Sequence, residues 1–366
     1  MYLERINLAN FKNYTSVEVQ PSAGVNCLVG NNGVGKTNFL DAIYYLSLCK
    51  SHFNPIDSQN IRHGETFFAI HGHYKTDVCE IASASCIFKN GQKQMKWNGK
   101  ACRTLAEHIG HIPLVMATPT DELLVTGSSE VRRKFIDGVI SQNDNEYLQH
   151  LLNYAHAIEQ RNSLLKGFAE CGSVDNRLLD LWDEQLVKYG EPIVTQRKTF
   201  LNEFAILFRH YFSLLVDDKE VPELIYRSQL DEGSYDQLLA TNRRKDCYAQ
   251  HSTIGPHKDD IELQIGGHPA KRFGSQGQQK TLLLSLKLAQ FQYLYSRSHI
   301  KPLLLLDDLF DKLDLSRIYR LMDLVHSDNF GQVFITDTQI GRIQTIFAQQ
   351  GGDSVRIWNV DDNTIN

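Results

Sequence analysis

The chain has 366 residues, of which 42% are hydrophobic and 22% are charged. This composition is that of an ordinary globular protein with about two domains, and it excludes a disordered or fibrous chain. The formal net charge of -5 does not by itself indicate a nucleic-acid-binding protein, but local basic patches decide that property.

The N-terminal segment MYLERINLANFKNY alternates apolar and polar residues, which predicts an edge strand rather than a secretory signal. No apolar run approaches roughly 18–20 residues without a charge, so we expect no membrane-spanning helix. The seven cysteines include no Cys-x-x-Cys pair. They indicate scattered reduced thiols in a cytoplasmic protein.

The first stretch of the chain, to about residue 119, reads as strands interrupted by one strong helix. Val25–Gly30 is a short apolar strand, and Thr37–Leu48 has the apolar spacing of a helix. Alternating segments follow, and Lys89–Gln92, with the sequence KNGQ, predicts a hairpin turn between two of them.

Residues 121–250 have helical patterns throughout, with a break at Gly172 and Ser173, and they indicate an antiparallel helical arm. Strands return from residue 251, and Pro302–Asp308 and Gln332–Thr338 alternate with helical segments. That alternation favours a parallel α/β core. We therefore expect residues 1–120 and 251–366 to form one α/β domain, interrupted by a helical arm at 121–250.

A phosphate-binding loop lies between the apolar strand and the helix of the first stretch. The segment GNNGVGKT fits the pattern G-x-x-x-x-G-K-[ST], in which backbone N–H groups surround phosphates. The lysine would reach the β- and γ-phosphates of ATP, and the threonine hydroxyl would bind Mg²⁺. The residues are Gly30, Asn31, Asn32, Gly33, Val34, Gly35, Lys36 and Thr37.

Two adjacent acids, Asp307 and Asp308, end the apolar strand that begins at Pro302. Neighbouring carboxylates repel each other, so stability alone gives no reason for the pair. Beside a nucleotide, Asp307 would complete the Mg²⁺ shell, and Asp308 would orient or deprotonate the attacking water. The Asp308 side chain is one methylene shorter than that of a glutamate, and if it acts through a longer water bridge, hydrolysis should be slow.

A second helix start suited to an anion follows Arg272. Its residues are small or polar and carry no acid: Ser275, Gln276, Gly277 and Gln278. One nucleotide needs only one phosphate loop, so this start is expected to contact the γ-phosphate bound by a second copy of the chain. The alternative is an ordinary serine-capped helix.

Three basic clusters could contact DNA through its phosphates, independently of sequence and sensitive to salt. The alternative for each is a solvated helix face, and Arg132 or Arg133 could instead pair with acids such as Asp121 or Asp137. The clusters are Arg132, Arg133 and Lys134, then Arg243, Arg244 and Lys245, and finally Lys271 and Arg272.

Together these motifs resemble the ATP-binding-cassette class of ATPases, and within it the RecF family of bacterial DNA replication and repair proteins. The resemblance covers nearly the whole chain and keeps the family's order of motifs. The segments that carry it are FKNY, the phosphate loop, RRKFID, TIGPHKDDIEL, RFGSQGQQKTLLLSLKLAQ and LLLLDDLFDKLD.

The resemblance implies a cassette-type ATPase head, with a mixed sheet core plus antiparallel strands, and an inserted helical lobe. It implies a weak, DNA-stimulated ATPase that dimerises on ATP and binds single-stranded or gapped DNA. It further implies RecO and RecR as partners, help in loading the recombinase RecA at gapped or stalled DNA, and support of the SOS response.

The resemblance also suggests residue roles. Lys12 and Asn13 would lie near the adenine, and Asp311–Asp314 would form a loop that meets the partner subunit. Cassette ATPases often carry a γ-phosphate-sensing histidine after the last core strand, but this chain has none there. Thr336 or Thr338 could take that role, and the sequence does not choose between them.

Other functions fit less well. A transporter subunit would not have so large a helical insert, and a break-repair ATPase would need a longer coiled coil with a Cys-x-x-Cys hook. A fused nuclease would need more chain after residue 314. A nucleotide-stabilised scaffold with negligible hydrolysis stays open.

Overall fold

In the computed structural model, the strands form three sheets. The structure describes residues 1–76, 80–216, 220–310, 313–326, 330–348, 355–361 and 364–365. The strands are β1 (Tyr2–Phe11), β2 (Tyr14–Val19), β3 (Val25–Val29), β4 (Phe67–Lys75), β5 (Ile81–Lys89), β6 (Gln92–Trp97), β7 (Lys100–Ala101), β8 (Leu114–Ala117), β9 (Pro222–Arg227), β10 (Asp260–Ile265), β11 (His268–Pro269), β12 (Leu303–Leu306), β13 (Val333–Asp337), β14 (Val355–Asp361) and β15 (Thr364–Ile365).

The helices account for most of the remaining described residues. They are α1 (Lys36–Leu48), α2 (Leu123–Thr126), α3 (Ser129–Ser141), α4 (Asn145–Cys171), α5 (Asn176–Leu215), α6 (Tyr235–Ala249), α7 (Ala270–Phe273), α8 (Gln276–Ser298), α9 (Leu315–His326) and α10 (Ile340–Ala348). No helix of the described chain combines the length and apolar character that crossing a bilayer requires.

Contacts divide the chain into two compact units. The first unit comprises Met1–Asp121, Tyr211–Asp217 and Leu283–Asn366, and the second comprises Glu122–His210 and Asp218–Leu282. The second unit thus extends beyond residue 250, where the sequence analysis placed the end of the arm. The reason is a strand pair, because β9 hydrogen-bonds to β10 in antiparallel register from Asp260 opposite Arg227 onward.

The first unit contains two sheets. One is antiparallel, in the order β2-β1-β4-β5-β6-β7, and the other has the order β15-β14-β3-β13-β12-β8. In the second sheet β14, β3, β13, β12 and β8 are parallel. Helix α1 contacts strands of both sheets, and its apolar residues join theirs in one buried cluster. The predicted mixed core with antiparallel strands is confirmed.

Local turn chemistry explains the hairpin between β5 and β6. Lys89 pairs with Gln92, and the two residues between them, Asn90 and Gly91, have φ values of 54° and 75°. Both values lie in the left-handed region that asparagine and glycine tolerate best, which is the geometry of a two-residue hairpin turn. The predicted hairpin is confirmed at these positions.

The second unit is mainly helical, with a small sheet in the order β11-β10-β9. Gly172 ends α4 at φ 69°, as the predicted break requires. Helices α4 and α5 are antiparallel, because their contacts pair early residues of one with late residues of the other. The pairs are Tyr147 with Arg197, His150 with Tyr189, and His156 with Trp182.

Candidate nucleotide-binding site

The phosphate loop connects β3 to α1, as the sequence predicted. Gly33 and Gly35 have φ values of 85° and 115°, a region that favours glycine. A Cβ on Gly35 would also lie 2.3 Å from Asn13 Nδ2, so no other residue fits there without movement. Lys36 is 4% exposed, and its ammonium donates to the carbonyls of Gly30 at 2.8 Å and Asn31 at 2.9 Å. The Lys36 side chain therefore folds back across the phosphate loop and binds the loop's first two carbonyls.

The acids after β12 lie beside the end of that loop. β13 separates β3 from β12 in the sheet, and parallel strands present their carboxyl ends at one edge. The Thr37 hydroxyl is 2.9 Å and 3.1 Å from the two carboxylate oxygens of Asp307. A hydroxyl and a carboxylate placed together are the hard oxygen ligands that Mg²⁺ prefers, so the donor set fits this ion.

Burial shapes the electrostatics of this pair of acids. Asp307 is 3% exposed, and burial raises the pKa of its carboxyl, as does the neighbouring Asp308 carboxylate. Hydrogen bonds from Thr336 and Thr37 oppose that rise by stabilising the ionised form. Asp308 is partly exposed and has a φ of 45°. The two adjacent acids therefore have different surroundings.

The structure corrects the expectation for Lys12. Its ammonium lies 2.6 Å from the Asp41 carboxylate of α1, and both side chains are at least nine-tenths buried. Asp41 also accepts hydrogen bonds from the Ser51 hydroxyl at 2.6 Å and the His52 N–H at 2.7 Å. Lys12 is thus committed to the helix that follows the phosphate loop, and is not presented to an adenine.

Asn13 supports the phosphate loop directly. Its amide donates to the Val34 carbonyl at 3.1 Å and accepts from the Asn38 amide at 2.7 Å. The adjacent Tyr14 hydroxyl donates to the Gly35 carbonyl at 3.0 Å. The FKNY segment therefore holds the loop in shape, a role that its polar character alone did not reveal.

Sequence reasoning missed a buried lysine of α8. Lys287 is 6% exposed and donates to the Met116 carbonyl at 2.7 Å and to Asp121 at 2.9 Å. Asp121 was considered as a partner of Arg132 or Arg133, and that pairing is wrong. The signal was present, because a charge inside the leucine-rich run of α8 needs a buried partner.

The segment before α8 lies in the second unit and forms a reciprocal cap. The Ser275 N–H donates to Gln278 Oε1 at 2.6 Å, and the Gln278 N–H donates to the Ser275 hydroxyl at 3.2 Å. Gln278 also donates to the Glu220 carboxylate at 2.6 Å. Ser275 and Gln276 are exposed, and Gly277 is partly exposed. The cap is the ordinary helix start that the sequence analysis weighed, and anion binding there remains a prediction.

Four of the eight arginines and lysines in the three basic clusters donate to other segments of the second unit. One of them is Lys271, which donates to the Gly127 carbonyl at 3.1 Å. Arg132 forms a two-bond pair with Asp260 at 2.9 Å and 3.0 Å, and Arg133 donates to the Asp259 carbonyl at 2.5 Å. Arg243 donates to Asp180 and Asp183, each at 2.6 Å. These three arginines are engaged inside the second unit, which is the structural alternative that the sequence left open for Arg132 and Arg133.

The remaining cations of the three clusters, which include Arg272, are exposed. Lys134 pairs with Glu130 on the same helix, while Arg244 and Lys245 lie on the exposed side of α6. Tyr248, one helical turn further on, is 93% exposed and was not singled out from the sequence. Its spacing of three and four from the two cations could have identified it.

Part of the predicted subunit-facing loop lies outside the described residues, namely 311 and 312. At its end Asp314 accepts hydrogen bonds from the Ser316 hydroxyl at 2.6 Å and the Arg317 N–H at 3.0 Å. The acid therefore caps α9. Thr336 is buried within β13, and Thr338 follows that strand and is partly exposed.

Comparison with known proteins agrees with this arrangement. The family model of the RecF/RecN/SMC N-terminal domain matches residues 2–352. The DNA replication and repair protein RecF of Flavobacterium johnsoniae is 46% identical over 348 residues, covering 94% of this chain and 96% of that protein. RecF of Bacteroides thetaiotaomicron is 44% identical over 367 residues, covering 100% and 98%.

Solved structures also match the fold of this chain. The recombination mediator protein RecF of the RecFOR pathway, determined with ATPrS, matches with a TM-score of 0.89 at 28% identity, covering 100% of this chain and 97% of that one. An Smc head bound to the C-winged helix domain of ScpA matches with a TM-score of 0.58 at 15% identity, which shows the fold alone. The chain belongs to the RecF family of DNA replication and repair proteins, within the RecF/RecN/SMC group.

Proposed function

We propose that this chain is an ATP-dependent DNA-binding protein of recombinational repair and replication. It dimerises on ATP and helps to load the recombinase at gapped or stalled DNA, which supports SOS induction. The proposal rests on the hydrogen bond between Thr37 and Asp307, which are 270 residues apart in the sequence. This contact lies at the end of the glycine-rich phosphate loop. The names of the RecF relatives, and of the structures solved with ATP and ATPrS, support the proposal.

The residues of the first unit fit ATP and Mg²⁺. The loop from Gly30 to Thr37 would surround the phosphates, with Lys36 turning from its own carbonyls toward them. Thr37 and Asp307 would hold Mg²⁺, which supplies positive charge to the phosphate oxygens during transfer. Asp308 would orient or deprotonate the attacking water. We propose a weak ATPase, stimulated by DNA, in which hydrolysis serves as a release step.

The second unit supplies the proposed partner face. Ser275, which precedes α8, is exposed, and Gly277 in its first turn is partly exposed. No acid lies in that turn. We propose that this start closes on the γ-phosphate held by a second copy of the chain. The Gln278 side chain, which now engages Glu220, would release that carboxylate when an anion binds.

For DNA we propose the exposed side of α6, formed by Arg244, Lys245 and Tyr248. The acids Asp180 and Asp183 are paired with Arg243, which leaves the two outward cations to meet phosphates. A solvent-exposed tyrosine beside two cations suits single-stranded or gapped DNA, because a base can stack on the ring. Such contacts carry no base specificity.

The remaining expectations continue as proposals. Association with RecO and RecR and a cytoplasmic location follow from the family, whose solved member is described as part of the RecFOR pathway. A second candidate function is a nucleotide-stabilised scaffold with negligible hydrolysis. It is favoured by the shorter Asp308 in place of glutamate, since a shorter side chain leaves a longer path to the attacking water.

Sedimentation velocity tests the proposed function. We expect the pure protein to be a monomer alone and with ADP, and a dimer with ATP and Mg²⁺. Ser275→Arg should abolish the dimer without weakening binding of a fluorescent ATP analogue, and Asp308→Asn should prolong it. An oligomeric state that ignores ATP in every variant would refute the partner-facing role of α8. If the unmodified protein forms a dimer with ATP that does not dissociate over time, the result would instead favour the scaffold with negligible hydrolysis.

A further inference from the structure

One hydroxyl connects the two acids that end β12. Thr336 is fully buried in β13, the strand between β3 and β12. Its Oγ1 donates to Asp307 Oδ1 at 2.8 Å and accepts from the Asp308 N–H at 2.9 Å. A hydroxyl can donate one hydrogen bond, and the Thr336 hydroxyl donates it to Asp307. The 3.5 Å separation from Asp308 Oδ1 is therefore a weak contact.

The backbone of Asp308 is in an unfavourable conformation. Its φ of 45° lies in the left-handed region, which non-glycine residues avoid, although aspartate tolerates it better than most. Leu309 and Phe310, which follow, are buried, so the chain must turn inward immediately after the acids. Such strain persists only where the surroundings enforce it. The hydrogen bond from the Asp308 N–H to Thr336 is one such restraint.

We propose that Thr336 is a positioning residue, which holds Asp307 toward Thr37 and fixes the turn that aims Asp308. This inference rests on the proposed ATPase function. It also chooses between Thr336 and Thr338 as the residue that senses the γ-phosphate. The Thr336 hydroxyl is already committed to the two acids, so it does not sense a γ-phosphate. Of the two threonines, Thr338 is the one placed at the partly exposed end of the strand.

Two variants separate the hydroxyl of Thr336 from its methyl group. Thr336→Val keeps the shape but removes the hydroxyl, whereas Thr336→Ser keeps the hydroxyl. We expect Thr336→Val to lower kcat about a hundredfold through misplacement of Asp308, with the KM for ATP changed about twofold at most. Thr336→Ser should recover most of kcat. Thr345→Val, an exposed helical position, is the matched control and should match the unmodified protein.

A second measurement does not depend on hydrolysis. Glycine tolerates a positive φ, so Asp308→Gly removes the need to enforce the turn. We expect Thr336→Val to lower the folding equilibrium constant about tenfold in the native background, and clearly less in the Asp308→Gly background. Equal losses in both backgrounds would overturn the positioning role, as would a Thr336→Ser variant as impaired as Thr336→Val. If the unmodified protein hydrolyses no ATP, the proposed ATPase fails, while this comparison still decides the role of Thr336.

Discussion

At the scale of single residues, charged side chains around the phosphate loop are committed to internal partners. Lys12 and Asp41 form a pair that is almost completely removed from water, 2.6 Å apart. The left-handed φ of 53° at Lys12 turns the chain so that the lysine meets the helix. The pair joins the turn after β1 to α1. It therefore holds in place the helix whose first two residues are Lys36 and Thr37.

Replacing Lys12 distinguishes this role from an adenine contact. We expect Lys12→Met to lower the free energy of unfolding by about 3 kcal/mol, since the Asp41 carboxylate would remain buried without its cation. The preference for ATP over GTP should not change. Chemical denaturation and competition binding with the two nucleotides measure these quantities.

The double variant Lys12→Met with Asp41→Asn provides the control, because it removes both charges and should recover part of the loss. A Lys12→Met protein of unchanged stability that no longer prefers ATP would restore the adenine interpretation.

At the scale of elements, a buried arginine connects the helices of the second unit. Arg161 on α4 has no exposed surface, and it donates to Asp183 of α5 and Asp246 of α6, each at 2.6 Å. It also donates to the Ser252 hydroxyl at 2.9 Å. Four chain segments therefore depend on one guanidinium group.

Removing that guanidinium should be costly. We expect Arg161→Met to lower the free energy of unfolding by about 3–5 kcal/mol, because the Asp246 carboxylate would stay buried without its cation, while Asp183 would keep only Arg243. Arg177→Met removes an arginine of α5 whose side chain is 90% exposed, and should change stability by less than about 0.5 kcal/mol. Urea denaturation followed by circular dichroism compares the two. Equal effects would show that the buried network adds no stability.

A buried histidine anchors α1 in the first unit and predicts a pH dependence. His108 has no exposed surface, its Nε2 lies 2.6 Å from the Leu46 carbonyl, and burial lowers its pKa from 6.5 to about 4. The unfolded chain therefore takes up a proton below pH 6.5 that the folded chain refuses until about pH 4. Stability from this group is complete above pH 6.5 and is lost as the pH falls toward 4.

The expected loss is about 3 kcal/mol across that interval, from 1.36 kcal/mol per pH unit. His108→Gln cannot titrate and should flatten this part of the stability profile. Denaturant titrations of both proteins between pH 4 and 7.5 measure the two stability profiles. The difference between the profiles removes the contribution of the other histidines, because both proteins contain them. Parallel profiles for the two proteins would contradict the prediction.

At the scale of the whole molecule, a net charge of -5 means that any attraction to DNA must come from a local surface. The side of α6 with Arg244, Lys245 and Tyr248 combines charge and an aromatic ring, and the two contribute differently. Cation–phosphate contacts depend on salt, whereas base stacking depends on it only weakly.

Salt titration of DNA binding separates these contributions. We expect the double variant Arg244→Gln, Lys245→Gln to reduce the magnitude of the slope of log K against log salt by about 1.4 for single-stranded DNA. Tyr248→Leu should weaken single-strand binding about tenfold with the slope unchanged. Fluorescence anisotropy with a labelled oligonucleotide measures both. Arg227→Gln, whose cation is already paired with Glu262, is the control. Slopes and affinities like those of the unmodified protein would place the DNA elsewhere.

Much of the fold could be predicted from sequence because its signals are local. The strand, glycine loop and helix of the first stretch, the hairpin at Asn90 and Gly91, and the helix break at Gly172 all depend on neighbouring residues. Strand β9 was missed inside the helical stretch, since it is stabilised by β10 more than thirty residues later. Its short apolar segment carries no period that distinguishes it from a helix.

The sequence by itself determined the chemistry of this protein: a phosphate loop, two acids at a strand end, a polar helix start and the family that unites them. These are short patterns in which backbone conformation and side-chain type are fixed by adjacent residues. Only the tertiary structure decided which partners meet. It placed β13 between β3 and β12, so that Thr336 holds two acids, and it turned Lys12 to Asp41 and Arg132 to Asp260. Such contacts join residues 28, 29 and 128 positions apart, and burial of charge, which no local pattern encodes, selects them.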